Sequence, residues 1–185
     1  ETALQLPAKE GQQQAALAWP KGGHTQRLTW NDVAWIKAEC ASRPGDMAVV
    51  VKGVMTSEDT AIAVAVGVDA VVVSNHGGRQ LDGTDGTVEV IAECVAATSG
   101  SSVEVFVDGG FRRGKDVYKA LALGAKAVFV GRPALWGLML GGEAGVTHAL
   151  SLLQEELVTV MKLMGQTRAD AVEPHSVRDR EKRRF

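Results

Sequence analysis

The sequence predicts an α/β fold with a parallel sheet, arranged as half of a strand–helix barrel. Three observations carry that expectation. Four short valine-rich runs, Met47–Val51, Ala70–Val73, Val103–Val107 and Ala127–Val130, are nearly continuous in apolar residues rather than alternating. Strands buried on both faces of a parallel sheet read in this way. Helical patterns lie between the runs, and the alternation of strand and helix marks the α/β class. The third observation is an internal repeat. Residues Ala63–Val73 match Ala120–Val130, each segment being a helix end, a glycine, a two-residue link and a strand, with Gly67 and Gly124 standing 57 residues apart. That offset holds two strand–helix units. A repeated pair of such units suggests a (β/α)8 barrel, although an open doubly wound sheet also allows it. A full barrel takes about 250 residues, whereas this chain has 185 and four units.

The elements follow in order. Residues 1–27 have no sustained period and carry Gln12-Gln13-Gln14, Pro20 and Gly22-Gly23, so a loop or mobile segment is expected. Glu1 stands in place of a methionine, which suggests processing, an engineered start or a fragment, and no signal-peptide pattern is visible at this end. Thr29 with Asp32 three residues on forms a capping-box pattern, opening a helix through Val33, Ile36 and Lys37 toward Cys40. Pro44-Gly45-Asp46 breaks it. Further helices are expected over Ser57–Val66, Thr87–Ala97, Lys115–Leu123 and roughly Gly145–Met164. Gly67 and Gly124 fit helix C-caps that need positive φ. Residues 169–185 read as a polar tail, solvated and partly disordered, with Arg178, Arg180, Lys182, Arg183 and Arg184 set against Asp179 and Glu181.

Composition excludes several classes. Lys plus Arg number 20 against 22 Asp plus Glu, and with a pI of about 6.1 the chain lacks the basic surplus of an electrostatic nucleic-acid binder. No run of about 18 apolar residues is present, so no transmembrane helix is expected. Cys40 and Cys94 are too few for a disulfide scaffold and lack metal-ligand spacing, so no metal site is expected. His24, His148 and His175 have no such partners either, and Trp19, Trp30, Trp35 and Trp136 read as packing residues.

Each strand run leads directly into polar or glycine residues: Lys52-Gly53, then Ser74 to Gln80, then Asp108 to Arg113, then Gly131-Arg132-Pro133. These are the carboxyl ends of parallel strands, where barrels and open α/β sheets both place their sites. Lys52 offers a fixed cation, or a lysine lying along its own strand end. His76 can take a proton near neutral pH, and Arg79 can hold a carboxylate through two parallel hydrogen bonds. Together they suggest a base beside an anionic substrate. Asp108-Gly109-Gly110 with Arg112, and Gly131-Arg132, suit a phosphate through exposed backbone N–H groups and guanidinium charge.

The segments Val50-Val51-Lys52-Gly53-Val54, Val73 to Asp82, Val107 to Arg112, and Ala120 to Pro133 resemble the FMN-dependent 2-hydroxy acid oxidases and dehydrogenases, with the motifs in that family's order. The resemblance runs from about Leu28 to Arg168, is most specific at Ser74-Asn75-His76-Gly77-Gly78-Arg79-Gln80, and makes residues 28–168 the C-terminal half, the last four βα units, of a TIM barrel. It implies His76 as catalytic base and substrate contact, and Arg79 as the grip on the substrate carboxylate. It implies FMN as cofactor, with Lys52 beside the flavin N1–O2 edge and Ser74 touching the flavin. Asp108, Gly109, Gly110, Phe111, Arg112, Gly131 and Arg132 would then form the ribityl and phosphate site. The implied reaction is oxidation of a small (S)-2-hydroxy acid to a 2-keto acid, His76 taking either the α-proton or the hydroxyl proton.

The same resemblance leaves the family's first four strands outside this chain. Those strands carry tyrosines that contact substrate, the carboxylate that orients the histidine and a second arginine, so the chain is expected to need the other half or an oligomer. Alternatives are a non-catalytic flavin-binding remnant or assembly partner, and another FMN-binding or nucleotide-binding barrel, IMP dehydrogenase-like or type 2 isopentenyl-diphosphate isomerase-like, against which the His76–Arg79 pair argues. Localisation is open: Arg183-Arg184-Phe185 is not a peroxisomal Ser-Lys-Leu end.

Overall fold

Strands β1 (Val50–Val54), β2 (Ala70–Val73), β3 (Glu104–Val107) and β4 (Ala127–Val128) form one sheet in the order β1-β2-β3-β4, every neighbouring pair parallel. The structure, a computed structural model, describes residues 27–45 and 47–178. The expectations for residues 1–26, for Asp46 and for residues 179–185 lie outside the described residues. Helices α1 (Trp30–Ser42), α2 (Ser57–Val66), α3 (Thr87–Ala97), α4 (Gly114–Ala122) and α5 (Arg132–Leu163) alternate with the strands.

The core explains the architecture. Val71, Val73, Val105 and Val107, together with Val54, bury against Ala63, Val90, Ile91, Cys94 and Ala120 from the helices. In the register Val71↔Val105 and Val73↔Val107 these strand residues share one face, so the helices cover one side of the sheet. The other face, with Val50, Lys52, Phe106 and Phe129, is the concave inside of the arc. A doubly wound sheet reverses its strand order and carries helices on both faces. Sequential order with one covered face is instead half of a (β/α)8 barrel. Only β2 is buried along its whole length, whereas Val50 at the sheet edge is 44% exposed. Burial on both faces therefore fails at the edges, where no further strand lies alongside among the described residues.

Helices α2 and α3 have the bounds that the sequence predicts, and α4 begins and ends one residue earlier. The repeat is a pair of equivalent helix ends. Gly67 (φ +82) and Gly124 (φ +103) are left-handed. In each copy the glycine N–H donates to the carbonyl three residues back, and the following N–H donates to the carbonyl five back: Gly67 to Val64 and Val68 to Ala63, then Gly124 to Leu121 and Ala125 to Ala120. Thr29 and Asp32 form the expected capping box of α1. Just before β2, Asp69 accepts from Val49 N–H at 2.6 Å and from Lys37 Nζ at 2.5 Å, tying α1 and the approach to β1 together.

Three expectations need correction. Strand β1 starts later than Met47 and continues to Val54, so Lys52 lies within it. The register slips between Lys52 and Val54, and Gly53 (φ +104) supplies the bulge that a side chain would resist. Strand β4 stops at Val128 rather than Val130, although Phe129 N–H still donates to Val107 O. The last helix begins at Arg132 rather than near Gly145. It is two helical pieces broken at Gly141 and Gly142, folded so that Gly137 and Gly145 touch: a Cβ on Gly145 would lie 2.0 Å from Gly137 O. Pro133 occupies the first turn of this helix, where its missing N–H costs nothing. Beyond α5 the described tail forms short 3-10 turns at Ala169–Ala171 and Pro174–Ser176, packed beside α4.

Two outcomes test this packing. Gly67→Ala costs about 1–2 kcal/mol through left-handed strain alone, since open space surrounds it. Gly124→Ala costs more, because its Cβ would also meet Val95 Cγ1 at 2.7 Å; urea denaturation of both variants checks the ranking. The Lys37 hydrogen bond, reinforced by Val49 N–H, holds the Asp69 carboxyl below the ordinary aspartate value of 3.8. The unfolded chain then binds the proton more readily, so this contribution is present above that value and is lost as pH falls through the folded pKa. Asp69→Asn removes that part of the acid dependence, which an acid-denaturation curve reads directly.

Candidate functional site

The carboxyl ends of the strands open into a cleft of about 720 Å³. Lys52, His76, Gly77, Arg79, Asp108, Gly109, Gly110, Phe111, Arg112, Gly131 and Arg132 all line it. Ser74 does not reach the lining; it is buried just below and supports two residues that do. The candidate residues named from sequence thus converge on one place.

Ladder geometry puts them there. Ser74 N–H donates to Val54 O and Asp108 N–H donates to Val73 O, so each loop starts by extending the sheet one residue further. Lys52, Ser74 and Asp108 therefore stand side by side on the concave face. The Lys52 ammonium lies 2.7 Å from Ser74 Oγ and 3.1 Å from Asp108 Oδ2. Asp108 Oδ1 is buried without a hydrogen-bond partner, an unmet acceptor in a site that otherwise offers donors.

The loop after β2 turns tightly. Asn75 accepts from Gly78 N–H, and His76 N–H donates to Ser74 Oγ at 3.1 Å. His76, Gly77 and Gly78 are consecutive left-handed residues, with φ of +55, +67 and +70. The glycines take this conformation without cost, while the histidine stores strain. Arg79 curls back over the turn: Nε donates to His76 O at 3.3 Å and Nη2 donates to His76 Nε2 at 3.1 Å. Because a guanidinium only donates, Nε2 is the unprotonated ring nitrogen in this arrangement. Arg132, at the start of α5, donates through Nη2 to Gly77 O at 3.0 Å and so braces the same turn.

The loop after β3 carries Gly109 (φ +92) and Gly110 (φ +80), then Phe111 and Arg112. Phe111 is buried in the core while edging the cleft, which anchors the loop. Asp116 accepts from the N–H groups of Arg112 and Arg113, so Arg112 contributes its side chain rather than its amide. Glu156 of α5 accepts from Arg113 Nε and Gly114 N–H, holding the loop from behind, and those two bonds lower its pKa.

Sequence reading missed the walls and the fasteners. Trp136, taken as packing, is 55% exposed and lines the cleft with Leu135 and Phe129. Its helix buries only Gly137, so the aromatic face is left open. Trp35 is likewise about half exposed, whereas Trp30 packs against the core. Asn75 and Thr87 fasten the loops without reaching the lining. Thr87 reads from sequence only as the start of its helix, which hides a bond made elsewhere.

The chain matches the FMN-dependent dehydrogenase family over residues 2–179. It belongs to that family. It is 51% identical to an L-lactate oxidase of Nostoc sp. over 138 residues, covering 75% of this chain and 36% of that protein. It is 48% identical to 2-hydroxyacid oxidase 1 of Mus musculus over 151 residues, covering 82% of this chain and 39% of that protein. Among solved structures, a mandelate oxidase variant with a monooxide FMN adduct superimposes with a TM-score of 0.73 at 47% identity, covering 80% of this chain and 45% of that one. The chain thus spans less than half the length of the relatives it matches.

Strain at His76 has a measurable consequence. His76→Gly raises stability toward urea by about 0.5–1 kcal/mol, since glycine adopts the left-handed region freely, while removing the ring that Arg79 addresses. A loss of stability in that variant would mean that the ring's contacts outweigh the strain.

Proposed function

We propose that this chain supplies the substrate-carboxylate end and the cofactor-phosphate end of an FMN-dependent oxidase of small (S)-2-hydroxy acids. The observation that carries the reading is the meeting of His76 Nε2 and Arg79 at 3.1 Å in a cleft that also holds Lys52, Arg112 and Arg132.

The residues fit FMN. The unmet Asp108 Oδ1 suits a hydroxyl of the ribityl chain. Gly109 and Gly110 leave the loop backbone free of side chains, and Arg112 and Arg132 would hold the phosphate. FMN, when bound, supplies the two-electron acceptor. Lys52 would offset negative charge beside it, tempered by Asp108 at 3.1 Å. Arg79 grips the substrate carboxylate and fixes the α-carbon relative to His76. As Arg79 turns to that carboxylate, it releases His76 Nε2, which then accepts the substrate's proton. Ser74, bound to both Lys52 and the His76 amide, keeps cation and base at a set spacing.

The sheet supports the reading of a partner. Among the described residues strands β1 and β4 each have one unpaired edge, and the concave face leaves Val50 and Phe129 about half exposed. A complementary set of four strands, from the rest of the barrel or from another copy, would cover both.

Flavin fluorescence tests the cofactor arm. The purified chain binds FMN saturably, and Arg132→Ala weakens that binding by about 10- to 100-fold, the loss of a charge-assisted contact; no saturable binding overturns the cofactor assignment. Glycolate or lactate is turned over once the complementary half is supplied and not by the chain alone. In the completed enzyme Arg79→Lys loses about 10- to 100-fold in kcat/KM, since the paired hydrogen bonds are gone. Unchanged kinetics would remove the carboxylate role.

A further inference from the structure

Thr87 sits where the two working loops meet. It is the first residue of α3 and is buried. The N-cap position before it is held by Gly86, which has no side chain to cap the helix. Here Glu89 caps instead, accepting from Gly86 N–H at 2.6 Å. The Thr87 hydroxyl turns to the neighbouring unit and donates to Asp108 O at 2.8 Å, with Gly109 O at 3.5 Å. Since Asp108 N–H donates to Val73 O, the backbone of Asp108 is held on one side by β2 and on the other by α3.

The substrate-side loop reaches the same point. Asn75 Nδ2 donates to Asp85 O at 3.3 Å while Oδ1 accepts from Gly78 N–H at 3.2 Å, so one side chain ties both ends of the 75–86 loop. A Cβ on Gly109 would come within 3.2 Å of Asn75 Oδ1 and 3.4 Å of Thr87 Oγ1. The three residues thus pack closely, and a methyl group on Gly109 would require its neighbours to give by a few tenths of an ångström. Replacing the hydroxyl by an apolar group leaves the Asp108 carbonyl short of a donor in a buried place.

We propose that Thr87 is a positioning residue that locks the loop bearing His76 and Arg79 to the loop bearing Asp108 to Arg112. The lock fixes the separation between the carboxylate grip and the phosphate grip. It stands on the chain's own contacts, and only its consequence for FMN rests on the function proposed above.

Hydrogen–deuterium exchange of the chain, comparing wild type with Thr87→Val, tests the lock. Segments 75–86 and 108–113 both exchange about fivefold faster, the size of one lost hydrogen bond, while β2 and β3 keep their protection. Thr87→Ser, which retains the donor, restores both segments. Unchanged exchange in either segment overturns the proposal. If the valine variant does not fold, Thr87→Ala is judged by the same two-segment criterion, and global loss of protection in both variants counts against a local lock. FMN titration adds a second readout: affinity falls about fivefold in Thr87→Val and returns in Thr87→Ser. Unchanged affinity in a variant with loosened loops overturns the claim that the lock sets the ligand spacing. A wild-type chain that binds no FMN overturns the cofactor reading alone, and exchange then decides the lock.

Discussion

The register between β2 and β3 is the constraint on which the site depends. Val71 and Val73 pair with Val105 and Val107, and all four are buried under the helices. Each such side chain stabilises the fold by about 1.5–3 kcal/mol relative to exposure. A slip of one residue would turn these valines toward the concave face and bring Ser74 or Asp108, beyond the strand ends, to the side of the core. The register is therefore strongly determined, and it carries Ser74 and Asp108 to the same level on the opposite face. Lys52 then has two partners within hydrogen-bonding reach without any search by the loops.

Much of this was legible from sequence, for identifiable reasons. Helices Ser57–Val66 and Thr87–Ala97 were bounded correctly because a cap residue opens the first and both lie between unmistakable strands. The repeat around Gly67 and Gly124 marked equivalent helix ends, since only glycine takes that conformation freely. Convergence of the candidate residues followed from the rule that parallel strands present their carboxyl ends together. What stayed hidden depends on contacts that composition does not encode. The bulge at Gly53 puts Lys52 inside a strand, and the Gly137–Gly145 contact folds two helices where Pro133 and two glycines read as loop. Thr87 was placed on the right element, yet its hydroxyl bonds across space to Asp108.

The loops show how rigidity and strain are combined. His76 adopts a left-handed conformation that only its surroundings can enforce. Ser74 holds its amide, Arg132 holds the carbonyl of Gly77, and Asn75 closes the turn. The loop after β3 is held from behind by Asp116 and Glu156 rather than from within the cleft. Fastening from outside leaves the inner surface of each loop free for a ligand. It also explains why residues that never touch the cleft matter to its shape.

Charge in the cleft links ligand, partner and stability. The chain as a whole is slightly acidic, at −2, yet the cleft gathers Lys52, Arg79, Arg112 and Arg132 against the single carboxylate of Asp108. Cations brought together repel, and the repulsion grows as water is excluded. Covering the concave face with further strands would exclude that water, so closure alone raises the electrostatic cost. On the function proposed above, a phosphate at one end and a carboxylate at the other would offset it with opposite charge, and burial would then strengthen the attraction instead. Ligand binding and barrel closure would accordingly favour one another, because each would remove the penalty that opposes the other.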